Sequence, residues 1–228
     1  MKVSVVIVTY NRPFMLGPLI CQLREQTVPV EIVVVDDGSK QAIPCGDRYL
    51  WRTDDGYHRT WMVNRGVELA SGDIVILLDD DIRLKSRTWV RAHLDVFKDA
   101  HVSRGTFYMG RYNDGVFEQT SPYIFGLPGT YWSSVNVAML KDVWHAVGGY
   151  DEQFDGAYGF EDVDFGLRVR EAGFRIGKAG SSAIVEHIGE PYCGDDESLM
   201  DRNRKLLENK WGDSVDKLMA RSGGGVPG

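Results

Sequence analysis

From Val3 to Val8 the chain is an apolar, largely β-branched run, interrupted only by Ser4, that ends at Thr9. It is too short to span a bilayer, it lacks a following small-residue cleavage site, and its composition suits a strand buried on both faces. Helical periodicity takes over after Pro13 and holds from Phe14 to Gln26, and Glu31 to Asp36 is a second β-branched run. Together these predict a βαβ unit. A further cycle follows: Tyr57 to Ala70 reads as a helix, Ser71-Gly72 as its stop, and Asp73 to Leu78 as another buried strand. Beyond a helix expected over Thr88 to Lys98, the stretch from Gly105 to Gly129 scatters Gly, Tyr and Phe without a period and reads as irregular. Helices return at Lys141 to Val147 and Glu161 to Ala172, short strands at Phe174 to Lys178 and Ser182 to Glu186, and a terminal helix at Asp196 to Trp211. The glycine-rich residues Ser222 to Gly228 are expected to be a flexible tail. The pattern predicts an α/β fold with a mostly parallel, Rossmann-like central sheet flanked by helices.

Composition narrows the function. At 228 residues, with 43% hydrophobic and 26% charged side chains, the chain is long enough for one compact domain and unlike a disordered polymer. A net charge of −7 argues against a broad nucleic-acid-binding face or an anionic-membrane face. The cysteines, Cys21, Cys45 and Cys193, are odd in number and lack CxxC spacing, which fits a reducing, cytoplasmic setting better than a disulfide framework.

Two acidic clusters stand out because of where they fall. Asp36-Asp37-Gly38-Ser39 and Asp79-Asp80-Asp81 both lie just past the carboxyl ends of predicted strands, where open α/β sheets place their ligand crevice. Three adjacent carboxylates repel one another unless water or a hard divalent cation such as Mg²⁺ or Mn²⁺ accommodates them. A solvated acidic turn is the alternative reading of the triplet, and an Asx-type turn that of Asp36-Asp37. Glu161-Asp162 opens a predicted helix, a position the helix dipole favours for acids with or without a function.

The segments VSVVIVTYNRP, VVVDDGS, NRGVELASGDIVILLDDDI and GGYDEQFDGAYGFEDVDFGLRVREAG, taken in order, resemble the inverting glycosyltransferases of family two, with the GT-A fold, over residues 3 to 190. DDGYHRTWMVNRG is similar to the corresponding stretch of chondroitin- and hyaluronan-type polymerases and related galactosyltransferase domains, where it lines the donor site. The resemblance implies a single domain over residues 1–221. Its nucleotide-sugar-binding half is 1–100, its acceptor and catalytic half, with a smaller sheet-and-loop region, is 101–195, and a helical segment follows over 196–221. It implies a UDP-sugar donor and a glycan or glycolipid acceptor, with Mn²⁺ or Mg²⁺ as cofactor. Thr9 and Asp37 would contact the uracil with help from Asp55, and Asp79 would approach the ribose. Asn11, Arg12, Asp80 and Gly149 would complete the donor site. Asp81 would ligate the metal together with His187. Where the family has A-R-N this chain has Val63-Asn64, so Asn64 is retained while the phosphate-facing arginine becomes Arg59 or Arg65. Asp162 would be the catalytic base and Glu161 would hold the acceptor or sugar, with Asp164 an exposed member of the same turn. Tyr123, Phe125, Tyr131 and Trp132 read singly as core aromatics and as a group as an acceptor-side loop that stacks on sugar rings, with Tyr131 and Trp132 as the acceptor contacts.

The mechanism so implied is a single displacement with inversion. No membrane span is expected, so contact with a membrane would run through a partner. Two other classes share parts of this pattern. A sugar-nucleotide nucleotidyltransferase would need a glycine-rich basic loop after the first strand, which TYNRPFMLG lacks. A noncatalytic or degenerate nucleotide-sugar-binding module would not need Asp81, His187 and Asp162 together.

Overall fold

The structure is a computed structural model that describes residues 1–42, 44–125, 133–188 and 197–212. Its strands and helices in chain order are β1 (Val3–Thr9), α1 (Pro13–Arg24), β2 (Glu31–Asp36), β3 (Arg48–Trp51), α2 (Arg59–Leu69), β4 (Ile74–Asp79) and β5 (Ile82–Leu84). Next come α3 (Trp89–Leu94) with a 3-10 turn at Asp95–Lys98, β6 (Val102–Arg104), β7 (Thr106–Asn113), β8 (Val116–Phe125), β9 (Asn136–Leu140) and α4 (Lys141–Val147). The chain continues through α5 (Glu161–Glu171), β10 (Ile176–Lys178), β11 (Ile184–Ile188) and α6 (Glu197–Trp211).

The larger sheet runs β10-β6-β9-β4-β1-β2-β3. β1 pairs in parallel with β2 and β4 at its centre, and β9 alone is antiparallel to its neighbours β4 and β6. Alternation assigns the two faces. Val3, Val5, Ile7, Ile32, Val34, Ile74 and Ile76 pack under Leu16, Leu19 and Leu23 of α1 and under Trp89 of α3. Val6, Val33, Val35, Val75 and Leu77 pack against Met62 and Val67 of α2, Trp144 of α4 and Phe165 of α5. Helix α2 lies especially close to the sheet at Gly66, where a Cβ would come within 2.5 Å of Val6.

The region expected to be irregular is a hairpin. β7 and β8 pair antiparallel, closed at Asp114-Gly115, whose φ angles of 48° and 80° are the left-handed pair that a two-residue hairpin turn requires. With β11 and β5 they form a second sheet, ordered β5-β11-β7-β8. The junction between the sheets is the buried Asn136: its Oδ1 accepts from Trp89 Nε1 at 3.1 Å, and its amide donates to the carbonyls of Thr106 and Ala183 at 3.1 and 2.8 Å. His93 also faces that Oδ1 at 2.9 Å, and burial pulls its pKa down to about 4, so it packs as a neutral imidazole. Asp164, expected at the surface, is fully buried and pairs with Arg168 and Lys210 at 2.9 and 2.7 Å. A carboxylate so buried persists only with partners of this kind.

Glu31 ties the amino-terminal edges of three strands. Its carboxylate accepts from Ser4 Oγ at 2.5 Å, from Ser71 N and Oγ at 2.7 Å and from Arg48 Nε at 2.8 Å. Burial would raise its pKa, but these donors outweigh it and hold the group well below the usual carboxylate range. Stability from a depressed carboxyl pKa is present above the unfolded value, about 4.3, and is lost as pH falls below it. Glu31→Gln should therefore cost about 1–3 kcal/mol at pH 7. Urea unfolding should show that gap narrowing at pH 3; an equal gap at both pH values would mean the charge is irrelevant.

Candidate active site

The connection from β1 leads to β2 on one side, whereas β4, on the other side, is reached from β3 through α2. Neighbouring strands whose connections diverge open a crevice at their carboxyl ends. Here it is a cleft of about 580 Å³ whose walls include Thr9 from β1, Asp79 to Asp81 from the end of β4, Glu161 and Asp162 from α5, and His187 from β11. Its size is ordinary for a small-molecule site.

The three aspartates do different things. Asp80 is buried with both oxygens occupied, one by the Thr9 hydroxyl at 2.7 Å and the other by Arg12 Nη1 at 3.1 Å. Burial and neighbouring Asp81 nevertheless push its carboxyl up to about 6. Asp79 pairs with Arg59 at 2.5 Å; burial opposes its charge, but Arg59 and His187 hold its pKa below the usual value. Asp81 binds Arg12 through Oδ2 at 2.7 Å, while its Oδ1 lies 2.8 Å from His187 Nε2. That contact is an ion pair when the imidazole is protonated, outside ideal hydrogen-bond alignment. One ligand atom each from Asp79, Asp81 and His187 lie within 4.8 Å of one another, and two hard oxygens with an imidazole suit Mn²⁺ or Mg²⁺. Burial would lower the His187 pKa, but the two carboxylates reverse this and raise it.

Opposite them, Arg59 bridges the halves of the cleft, its Nε lying 3.4 Å from Glu161 while its Nη2 holds Asp79. Arg59, not Arg65, is thus the arginine in the cleft; Arg65 lies behind it, paired with Glu68 at 2.8 Å. Asp162 faces the cleft from the first turn of α5 and accepts from the Val163 amide at 2.8 Å. Burial, then the Glu161 charge, push its carboxyl up to about 7. A carboxyl that changes charge near neutrality in a cleft is suited to accept a proton there.

The wall nearest β2 is built from turns. Asp37 accepts from the His58 amide at 3.0 Å, and its buried Oδ1 faces Arg52 Nη1 at 3.5 Å without a hydrogen bond; burial raises its pKa. Asn11, at φ 53°, spends its side chain on Lys40 N and its amide on Ser39 Oγ, so it shapes the turn beside the cleft. Asp55 points out to Arg52 at 2.6 Å, and it is Asp54 that lines the wall, accepting from Tyr10 Oη at 2.9 Å.

Two expected donor contacts lie elsewhere. The Asn64 side chain clamps the backbone N and O of Tyr150 at 2.9 and 3.0 Å, and with Gly149 it lines a separate groove behind α2. Asn64 follows Arg59 by five residues, about 1.4 turns of α2, and so points to a different face. Tyr131 and Trp132 lie outside the described residues, as do the side chains of Tyr123 and Phe125. The cleft also gains residues not anticipated from the sequence: Tyr10, Asp54, Ser133, Ser134 and the edge-to-face pair Tyr57 and Tyr158, 6.4 Å apart.

Residues 4–151 match the family model for glycosyl transferase family 2, and residues 120–190 match that for the N-terminal domain of galactosyltransferase. The chain is similar to the chondroitin synthase of Pasteurella multocida, at 26% identity over 91% of this chain and 27% of the relative. It is also similar to the hyaluronan synthase of the same species, at 25% identity over 89% and 26%. It therefore spans about a quarter of the length of these curated relatives. Among solved structures, S. aureus TarS 1-349 in complex with UDP-GlcNAc superposes with a TM-score of 0.68 at 16% identity, over 97% of this chain and 71% of that one, which shows the GT-A fold. The chain belongs to glycosyl transferase family 2.

Proposed function

We propose that this chain transfers one hexosyl or hexosaminyl unit from a UDP-sugar to a glycan or glycolipid hydroxyl, with inversion, as one catalytic domain working in the cytoplasm. The observation that carries the reading is a single cleft with Asp79, Asp81 and His187 on one side and a carboxyl titrating near 7, Asp162, on the other. Chondroitin and hyaluronan synthases are among the similar proteins, and a TarS structure holds UDP-GlcNAc, which supports a UDP-sugar donor. Among the described residues no helix is long and apolar enough to cross a membrane.

In this reading Asp37, through the buried Oδ1 that makes no hydrogen bond within the chain, accepts from the uracil ring N–H while Thr9, through Asp80, fixes the floor of the base pocket. Arg59 and Arg12 lie where the diphosphate would sit and exchange part of their carboxylate pairing for phosphate oxygens. The chemistry supplied at Asp79, Asp81 and His187, when Mn²⁺ or Mg²⁺ is bound there, is Lewis-acid stabilisation of the departing diphosphate. Asp162 takes the proton from the acceptor hydroxyl as that oxygen attacks the anomeric carbon from the face opposite the leaving group. Glu161, held by Arg59, orients the sugar, and Tyr57 with Tyr158 offers aromatic faces to it.

Calorimetric titration of UDP with Mn²⁺, and again with EDTA, tests the donor assignment, with GDP, CDP and dTDP as controls. UDP is expected to bind with Mn²⁺ and at least about tenfold more weakly with EDTA. Selective binding of another nucleotide would replace the donor. No nucleotide binding by a folded sample would favour a noncatalytic module.

A further inference from the structure

The corner that presents Glu161 and Asp162 is held from outside the cleft. Phe160, the residue before them, has φ 72°, a left-handed conformation that a bulky side chain adopts only where the surroundings impose it. Helix α6 imposes it from two sides. Before the corner, the fully buried Asn203 directs its amide at the carbonyls of Phe154, Ala157 and Gly159, at 3.0, 3.1 and 3.0 Å, while Arg202 holds those of Gln153 and Asp155 at 2.9 Å. After the corner, Trp211 Nε1 and Lys210 Nζ grip buried Asp164, in the same helical turn as Asp162, at 2.9 and 2.7 Å. The segment so held also reaches across the cleft: the Asp155 carboxylate accepts from Thr60 N and Trp61 N at 2.8 and 3.0 Å, capping the helix that carries Arg59.

We infer that α6 is a splint for the catalytic corner, with Asn203 as its principal positioning residue and Trp211 and Lys210 as its second hold. The inference rests on the reading of Asp162 as the base. Asn203 touches no cleft residue's side chain, so its effect passes through the backbone of residues 154–159. A base displaced by about 1 Å can lose about 100-fold in rate. Nucleotide contacts at Asp37 and Thr9 lie on the other wall, which α6 reaches only at one remove, through Asp155 and the amino end of α2.

The test uses the full chain with UDP release from a panel of UDP-sugars, UDP calorimetry with Mn²⁺, and thermal unfolding. Asn203→Asp keeps the shape but turns donors into acceptors; Trp211→Phe removes the indole N–H together with part of the ring; Leu23→Ala, in the core under α1, serves as a control for general destabilisation. Asn203→Asp is expected to lower kcat by about 100-fold with KM and UDP affinity within about twofold, and Trp211→Phe to lower kcat severalfold. Leu23→Ala should lose a comparable Tm yet retain kcat. In Trp211→Phe, which adds no charge, Asp162 should also become better hydrated, so the acid limb of the kcat profile moves to lower pH. Equal kcat losses in Asn203→Asp and Leu23→Ala, or a kcat loss in Trp211→Phe without a shift of the limb, would overturn the splint. Should Asn203→Asp fail to fold, Trp211→Phe decides by the same comparison with Leu23→Ala. An Asp162→Asn chain that still turns over would refute the base assignment instead, whereas an inactive Asp162→Asn beside a fully active Asn203→Asp would refute this inference alone.

Discussion

Asp162→Asn is expected to reduce turnover by about 10²- to 10⁴-fold while UDP affinity stays within about twofold, because the carboxyl acts on the acceptor proton and touches neither base nor diphosphate. The wild-type pH profile should carry the same signature. The active form of a general base is the deprotonated one, so a carboxyl pushed up to about 7 by burial and by Glu161 makes kcat rise with pH and level off above that value. The stability effect has the opposite sign. A carboxyl whose folded pKa lies above its unfolded value binds more protons when folded, so its charging costs stability as pH rises from about 4 to 7. Asp162→Asn should therefore unfold at an equal or higher temperature at pH 8 than the wild type. A variant that loses activity and Tm together would point to a structural part for Asp162.

The acids at strand ends were legible because two physical rules coincide on them: continuous β-branched runs mark buried parallel strands, and such strands deliver whatever follows them to the ligand crevice. Asp36 and Asp79 are the last residues of β2 and β4, where the sequence places them. The hairpin β7-β8 was missed although Asp114-Gly115 is a strong turn signal, because its strands carry polar residues on an exposed face and lack the apolar alternation that announces a strand. Roles set by tertiary partners were beyond reach. Nothing local to Asn64 says that its amide will clamp Tyr150, 86 residues away, and nothing local to Asp164 says that α6 will bury it. Asp54 and Asp55 are adjacent acids, and only the path of the turn decides that the first faces the cleft.

Within Asp79-Asp80-Asp81 the geometry predicts unequal losses. Asp81→Asn removes a ligand oxygen whose close neighbour is its fellow ligand His187, so Mn²⁺ affinity should fall about 10- to 100-fold and UDP binding in the presence of Mn²⁺ should weaken with it. Turnover should fall by about 10² to 10³ beyond that, the size seen when one stabiliser of developing charge is deleted. Asp80→Asn is a different experiment. Its carboxylate is occupied by Thr9 and Arg12 and offers no ligand to the cluster, so Mn²⁺ affinity should change by less than about threefold, while weaker support for the Thr9 turn lowers Tm. Mn²⁺ binding, read by paramagnetic resonance without donor or acceptor, separates the two variants before any activity assay. If Asp80→Asn loses the ion and Asp81→Asn keeps it, the ligand set is Asp80-centred, and Arg12 would then compete with the metal for the carboxylate that carries it.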